Sequence, residues 1–173
     1  SFLLYVFSDK DKKPLFARIA YSIHWLLILS AGLALFNLLY NHNYEYEYVW
    51  KHVSNNLKFK YIVSALWAGQ AGSFFLCSFI LSFVWLIMMF TSAKWEKYVM
   101  PVVSIAQSIL LTMIVGIKVF GMQIGQSPFK LLRESDVNAE ADFFTNPDYL
   151  SFIYDGNGIN PLLENYWMVI HPP

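Results

Sequence analysis

Three stretches of this chain contain no Asp, Glu, Lys or Arg: Ile19 to Tyr44, Tyr61 to Thr91 and Tyr98 to Ile117. Each is long enough to cross hydrocarbon as a helix, which takes roughly 20 residues. In lipid every backbone N–H and C=O must be satisfied within the segment, so runs of this kind are committed to helix. The whole composition agrees: 57% of residues are hydrophobic, 18% are aromatic and the mean hydropathy is +0.42, above the roughly half-apolar norm of soluble domains. The expected fold is therefore all-α, a polytopic transmembrane helix bundle. Aromatic and basic flanks trim the three full spans to about residues 16–40, 61–90 and 98–122, with residues 1–7 as the tail of an earlier, partial span. Residues 123–173 then form an external segment. Asn160 is a good N-cap and Pro161 a good first helical residue, so a short interfacial helix is expected over 162–170.

Charge sets the expected orientation. The short connections 8–18 and 92–97 carry Lys10, Lys12, Lys13, Arg18, Lys94 and Lys97, whereas the much longer 41–60 and 123–170 carry Lys51, Lys58, Lys60, Lys130 and Arg133. By the positive-inside rule the short loops are cytoplasmic. The Tyr/Glu-rich loop at 44–50 and everything after the third span would then face the periplasm or the exterior.

Several chemistries are unsupported by the residues. A formal net charge of +0 leaves no basic excess for a nucleic-acid partner. The single cysteine, Cys77, sits inside an apolar run, so an intrachain disulfide and a covalent Cys-x-x-Cys-His haem attachment are both out of reach. No phosphate-binding Gly-rich loop, Ser-His-Asp order or His-Glu-x-x-His can be read, and no catalytic residue is assigned.

The histidines are the residues with most to say. His171 precedes Pro172, which biases it toward an extended backbone at the end of the expected interfacial helix. It has no Cys, His or carboxylate nearby at zinc spacing. Capping a helix end is the simpler role; ligation of a haem iron, which takes one side chain per axial face, is the alternative. His24 lies inside the first span, where a neutral, hydrogen-bonded core histidine is expected, although an intramembrane ionisable group is by default a functional candidate. His42 and His52 fall in the external loop, where solvated or partner-facing roles are commonest. The glycines of Trp67-Ala-Gly-Gln-Ala-Gly-Ser73 are expected to let helices approach closely, with Gln70 and Ser73 seeking interhelical partners. Lys118 is expected to snorkel from the outer end of the third span.

Three separated motifs resemble the CcmF/CcsA family of cytochrome c haem lyases. Tyr48-Val-Trp-Lys-His-Val-Ser-Asn-Asn-Leu57 is similar to the family's first external loop. Ala65-Leu-Trp-Ala-Gly-Gln-Ala-Gly-Ser-Phe74 is similar to its tryptophan- and glycine-rich helix start, and Asp155-Gly-Asn-Gly-Ile-Asn-Pro-Leu-Leu163 through Ile170-His-Pro-Pro173 to its periplasmic histidine motif. The resemblance covers most of the chain from about Phe16 onward, with a longer insert over 130–154. It implies a multi-pass protein of the bacterial plasma membrane that holds haem b non-covalently at the periplasmic face, for thioether attachment to apocytochrome c. His171 matches the first of two periplasmic histidines that act as axial ligands of the haem iron, and other cytochrome c maturation subunits are implied partners besides the lipid bilayer. Ala71 stands where the family often has an acidic residue, so any role of that carboxylate is absent or moved. The family's Trp-Trp-Asp platform, second periplasmic histidine and transmembrane histidines would lie beyond Pro173. The chain therefore reads as the N-terminal part of such a lyase, or as a split subunit, and not as a complete holocytochrome c synthase-type enzyme.

Two other classes compete. A transporter segment requires polar residues converging near the bilayer midplane, for which only Gln70, Ser73 and Gln107 are available. A non-catalytic structural subunit of a respiratory or assembly complex would use the aromatic external loops to dock a partner.

Overall fold

The computed structural model describes residues 15–91, 93–120, 122–135, 144, 146, 148–160, 164, 165 and 167. Its helices are α1 (Leu15–Tyr40), α2 (Glu47–His52), α3 (Phe59–Ala68), α4 (Gln70–Thr91) and α5 (Ala93–Val115). A two-stranded antiparallel hairpin follows, β1 (Ile117–Val119) and β2 (Met122–Ile124), and then two single 3₁₀ turns, Leu132–Glu134 and Tyr149–Phe152. The protein is mostly helical, and α1, α4 and the Tyr98–Val115 part of α5 are long and apolar enough to cross a membrane. Of the expected short helix over 162–170 only three residues are described, Glu164 and Asn165 outside a helix and Trp167 helical, and the tail at 1–7 lies outside the described residues.

The second apolar run, read from sequence as one helix over 61–90, is two helices parted at Gly69. Glycine is the weakest non-proline helix former, and here a tyrosine replaces the broken ladder. The Tyr48 hydroxyl donates to the Ala65 carbonyl at 2.8 Å and accepts from the Gly69 N–H at 3.3 Å. The Ser73 hydroxyl lies within 2.9 Å of the Trp67 carbonyl and 3.0 Å of that of Gly69. The carbonyls left over at the end of α3 are thus satisfied by side chains.

The third apolar run also stops short of its expected end. Gly116 takes a left-handed φ of 70° directly after Val115, and the chain leaves the helix as β1. It returns through Gly125, also left-handed at φ 78°, so that the Gln126 N–H bonds the Met113 carbonyl at 3.0 Å. A Cβ on Gly125 would lie 1.9 Å from that carbonyl oxygen, so only glycine fits this return. Lys118, expected at the end of a span, instead sits on the hairpin.

α1, α4 and α5 form the body. At the end where α4 finishes and α5 starts, the Arg18 guanidinium grips the Glu96 carboxylate through both Nε and Nη2, beside buried Ala17, Tyr21 and Met100. At the opposite end α2, α3 and the described residues of 125–135 and 148–160 build a cap over α1 and α4. Its core joins Leu35 and Leu39 of α1, Tyr48, Val49 and Val53, Tyr61, Ile62 and Ala65 of α3, and Ile159.

Candidate functional site

The cap is organised around α2. Its entry is zipped to a distant strand-like segment: Tyr46 bridges Leu131, the Glu47 N–H bonds the Lys130 carbonyl at 3.0 Å, and the Leu132 N–H bonds the Glu45 carbonyl at 2.8 Å. Glu47 is thereby buried, with Oε1 accepting from Lys51 Nζ and from the Ser135 hydroxyl, and with Oε2 unpartnered. This carboxylate borders a polar hollow of about 320 Å³ shared with Gln70, Gln123, Gln126 and Lys130.

One turn further on, the Tyr48 ring lies against His52, with centroids 4.3 Å apart. His52 Nδ1 is 2.8 Å from the Tyr48 carbonyl, which can only accept, so Nδ1 carries the proton and Nε2 keeps its lone pair. Burial, the leading cause, holds the His52 pKa below its ordinary value, and burial raises that of the Tyr48 phenol. Both side chains are neutral. A Cβ at Gly69 would meet His52 Nε2 at 2.6 Å, and one at Gly72 would meet the Tyr48 hydroxyl at 2.0 Å. The glycines of this motif therefore admit a neighbouring helix as expected, the short α2, through its Tyr48 and His52 side chains. His52, expected to be solvated or partner-facing, is turned inward for the same reason.

The third element is Asp155. Its Oδ1 accepts the backbone N–H groups of Asn55 at 2.7 Å and Gly156 at 2.8 Å, and lies 3.2 Å from the Tyr44 hydroxyl. The Asn55 N–H is the main reason the carboxyl is held below its ordinary pKa. Burial, aided by Asp155, pushes the Tyr44 phenol up to about 12. The Asn157 N–H bonds the Trp50 carbonyl at 2.8 Å, and a Cβ at Gly156 would stand 2.1 Å from the Val53 carbonyl oxygen. The chain closes so tightly on the end of α2 that position 156 has no room for a side chain. Ile159 follows into the core, and the Tyr61 hydroxyl donates to the Glu164 carbonyl at 2.8 Å.

His171 lies outside the described residues. Among the described residues no group of three or more His, Cys, Asp or Glu side chains is placed to hold a metal ion. His24 sits in α1 with its ring 5.7 Å from that of Tyr21, and its Nε2 is buried without the hydrogen bond expected of a core histidine. His42, left-handed at φ 55°, stands edge-on to Tyr44. The polar residues a transporter would need do not converge: Gln70 starts α4 at the cap, Ser73 bonds its own backbone, and Gln107 bonds Ser78 within the body. Tyr48, Asn55 and Asp155 carry the cap's connections, yet the sequence offered them only as motif members and a turn signal. No family model, curated protein or solved structure matches this chain.

Proposed function

We propose that this chain crosses a bacterial plasma membrane and forms part of a cytochrome c haem lyase of the CcmF/CcsA type, presenting haem at the outer face to apocytochrome c. The observation that carries this reading is a convergence. The first two stretches whose residues resemble that family are neighbours in sequence and the third begins at Asp155, yet the described residues of all three are built into one cap. Tyr48 of the first bonds across the helix break in the second, and Trp50 and Asn55 of the first hold Asn157 and Asp155 of the third. Their meeting in one cap is what a shared task for the three stretches requires.

Membrane crossing is supported by the surface of the helices. In the apolar windows of α1, α4 and α5 only 17%, 22% and 28% of residues are buried, far less cover than such helices need in water. The short, basic connections at the end holding Arg18 and Lys94 favour that end as cytoplasmic and the cap as periplasmic.

In this reading haem is the substrate, and His171 is one axial ligand of its iron. The ligand fixes the macrocycle so that the apocytochrome thiols add across the vinyl groups, each S–H proton passing to the vinyl carbon that does not take sulfur. The protein's contribution is positioning. The cap supplies the fixed base: with Asp155, Asn157 and Ile159 tied to α2 and α1, the segment leading to His171 starts from a rigid point. Other maturation subunits and the apocytochrome are the partners.

The test is an optical spectrum of the parent protein, wild type beside His171→Ala, oxidised and after dithionite. A low-spin, six-coordinate Soret signature that is lost or shifted in the variant is expected. Identical spectra after haem loading would leave His171 a structural residue and remove the reading.

A further inference from the structure

The β1–β2 hairpin is amphipathic, and among the described residues no cap contact accounts for its apolar side. Register pairs Ile117 with Ile124 and Lys118 with Gln123. Cross-strand partners share a face and alternate residues share it too, so Ile117, Ile124 and Met122 lie on one side and Lys118 and Gln123 on the other. The polar side is accounted for, since Gln123 borders the hollow that holds Glu47 and Lys130. The apolar side is uncovered toward the turn: Ile117 and Ile124 are 37% and 38% exposed, Met122 is 67% exposed, and Phe120, at the turn with a left-handed φ of 50°, is 99% exposed. A two-stranded hairpin is marginal in water unless something covers its apolar face.

We infer that this hairpin is a membrane-interface anchor, its apolar side and Phe120 set into the headgroup–acyl boundary of the bilayer that α5 crosses. The occupant follows from three observations. Only Gly116 separates the hairpin from the end of α5, so it emerges at the depth where the helix leaves hydrocarbon. α5 is itself exposed and apolar beside lipid, along the stripe Val102, Ile105 and Ile109 and again at Val115 next to the hairpin. Moreover, no acidic residue occurs between Glu96 and Glu134, and the hairpin's one charge is Lys118, which suits a phosphate layer. The surface recognised is that of a phospholipid bilayer, and the inference rests on the membrane-crossing part of the proposed function.

The experiment is site-directed spin labelling of the parent protein in a Cys77→Ala background, reconstituted into phosphatidylcholine–phosphatidylglycerol nanodiscs. Nitroxides are placed one at a time by Phe120→Cys, Met122→Cys and Ile109→Cys, and their collision rates with oxygen and with a water-soluble nickel chelate are compared. At Phe120 and Met122 oxygen collisions are expected to exceed nickel collisions several-fold, at a depth shallower than at Ile109. Nickel excess at both hairpin sites, with Ile109 still lipid-buried, overturns the anchor and leaves the crossing intact. Low collision rates with both reagents show protein against the hairpin and overturn it equally. Nickel excess at Ile109 removes the crossing reading and the anchor with it.

Discussion

The Asp155 carboxylate accepts the backbone N–H of Asn55 at 2.7 Å, joining residues 100 positions apart. With the Gly156 N–H and the Tyr44 hydroxyl on the same oxygen, it is the clasp that holds the incoming segment to the end of α2. These donors favour the ionised form, so the folded-state pKa lies below the ordinary carboxylate value. The stabilisation is therefore complete above that ordinary value and is lost as pH falls through the lowered one. Protection factors at 154–159, the exchange rates corrected for the intrinsic pH dependence of amide exchange, are expected to be high at neutral pH and to fall in acid. Asp155→Asn is expected to exchange fast at neutral pH, with the acid-dependent step gone. An unchanged exchange profile in the variant would deny the clasp.

Gly69 and His52 should be coupled. A methyl at position 69 lands within 2.6–2.7 Å of the His52 ring and 3.0 Å from Tyr48 Cε2, all of them side-chain atoms able to give way. Gly69→Ala is expected to destabilise the cap, and His52→Ala to relieve part of the loss. A double-mutant cycle in detergent unfolding should return a coupling of about 0.5–3 kcal/mol. Gly72→Ala should have no such rescue, because its Cβ would also meet the Leu66 carbonyl oxygen at 2.1 Å, which is backbone.

Tyr48→Phe isolates the hydroxyl. It removes the donor to the Ala65 carbonyl and the acceptor for the Gly69 N–H while keeping the ring on His52. Leaving these buried groups unpaired should cost about 1–3 kcal/mol. The same unfolding assay measures it, and a change near zero would mean that another group bridges the helix break.

How far the sequence foretold this arrangement depends on the kind of signal. The three apolar runs announce themselves because freedom from charge over a bilayer's thickness is a local property, legible without any partner. The break at Gly69 was hidden, since a glycine inside an apolar run is compatible with an unbroken helix. What satisfies the break is Tyr48, which arrives from α2. The ends were misjudged for a similar reason: Ile117, Phe120 and Met122 extend the apolar pattern past Val115, but Gly116 and Gly125 turn them into a hairpin. In the cap, Asp155-Gly looked like a turn, but the chain passes through it without one, with Asp155 turned back onto its neighbours. Its bond to Asn55 is a long-range contact that no local spacing encodes.

Gln107 presents a contrast with these interactions. It is buried between α4 and α5 with Nε2 on the Ser78 carbonyl and hydroxyl, while its Oε1 has no partner. One half-satisfied amide gains about what it forfeits, and interhelical polar contacts in membranes average roughly 0.6 kcal/mol. Gln107→Met, similar in volume, is expected to change stability by less than about 1 kcal/mol. A loss well beyond that would require a role for Oε1 that the packing does not reveal.

The ion pair at the far end should behave differently. Arg18 holds Glu96 through two guanidinium nitrogens, and the Glu96 side chain is only 3% exposed against 22% for Arg18. Removing one partner of a buried pair leaves an uncompensated charge, which typically costs 3–5 kcal/mol. Since Arg18 retains some solvent, Arg18→Leu is expected to cost about 3 kcal/mol, the lower end of that range. Replacing both partners, Arg18→Leu with Glu96→Leu, should recover most of the loss, because two apolar side chains demand no desolvated charge beside Tyr21 and Met100. If the double variant is as unstable as the single one, the pair fixes the register of α1 against α5 by geometry that apolar packing cannot reproduce.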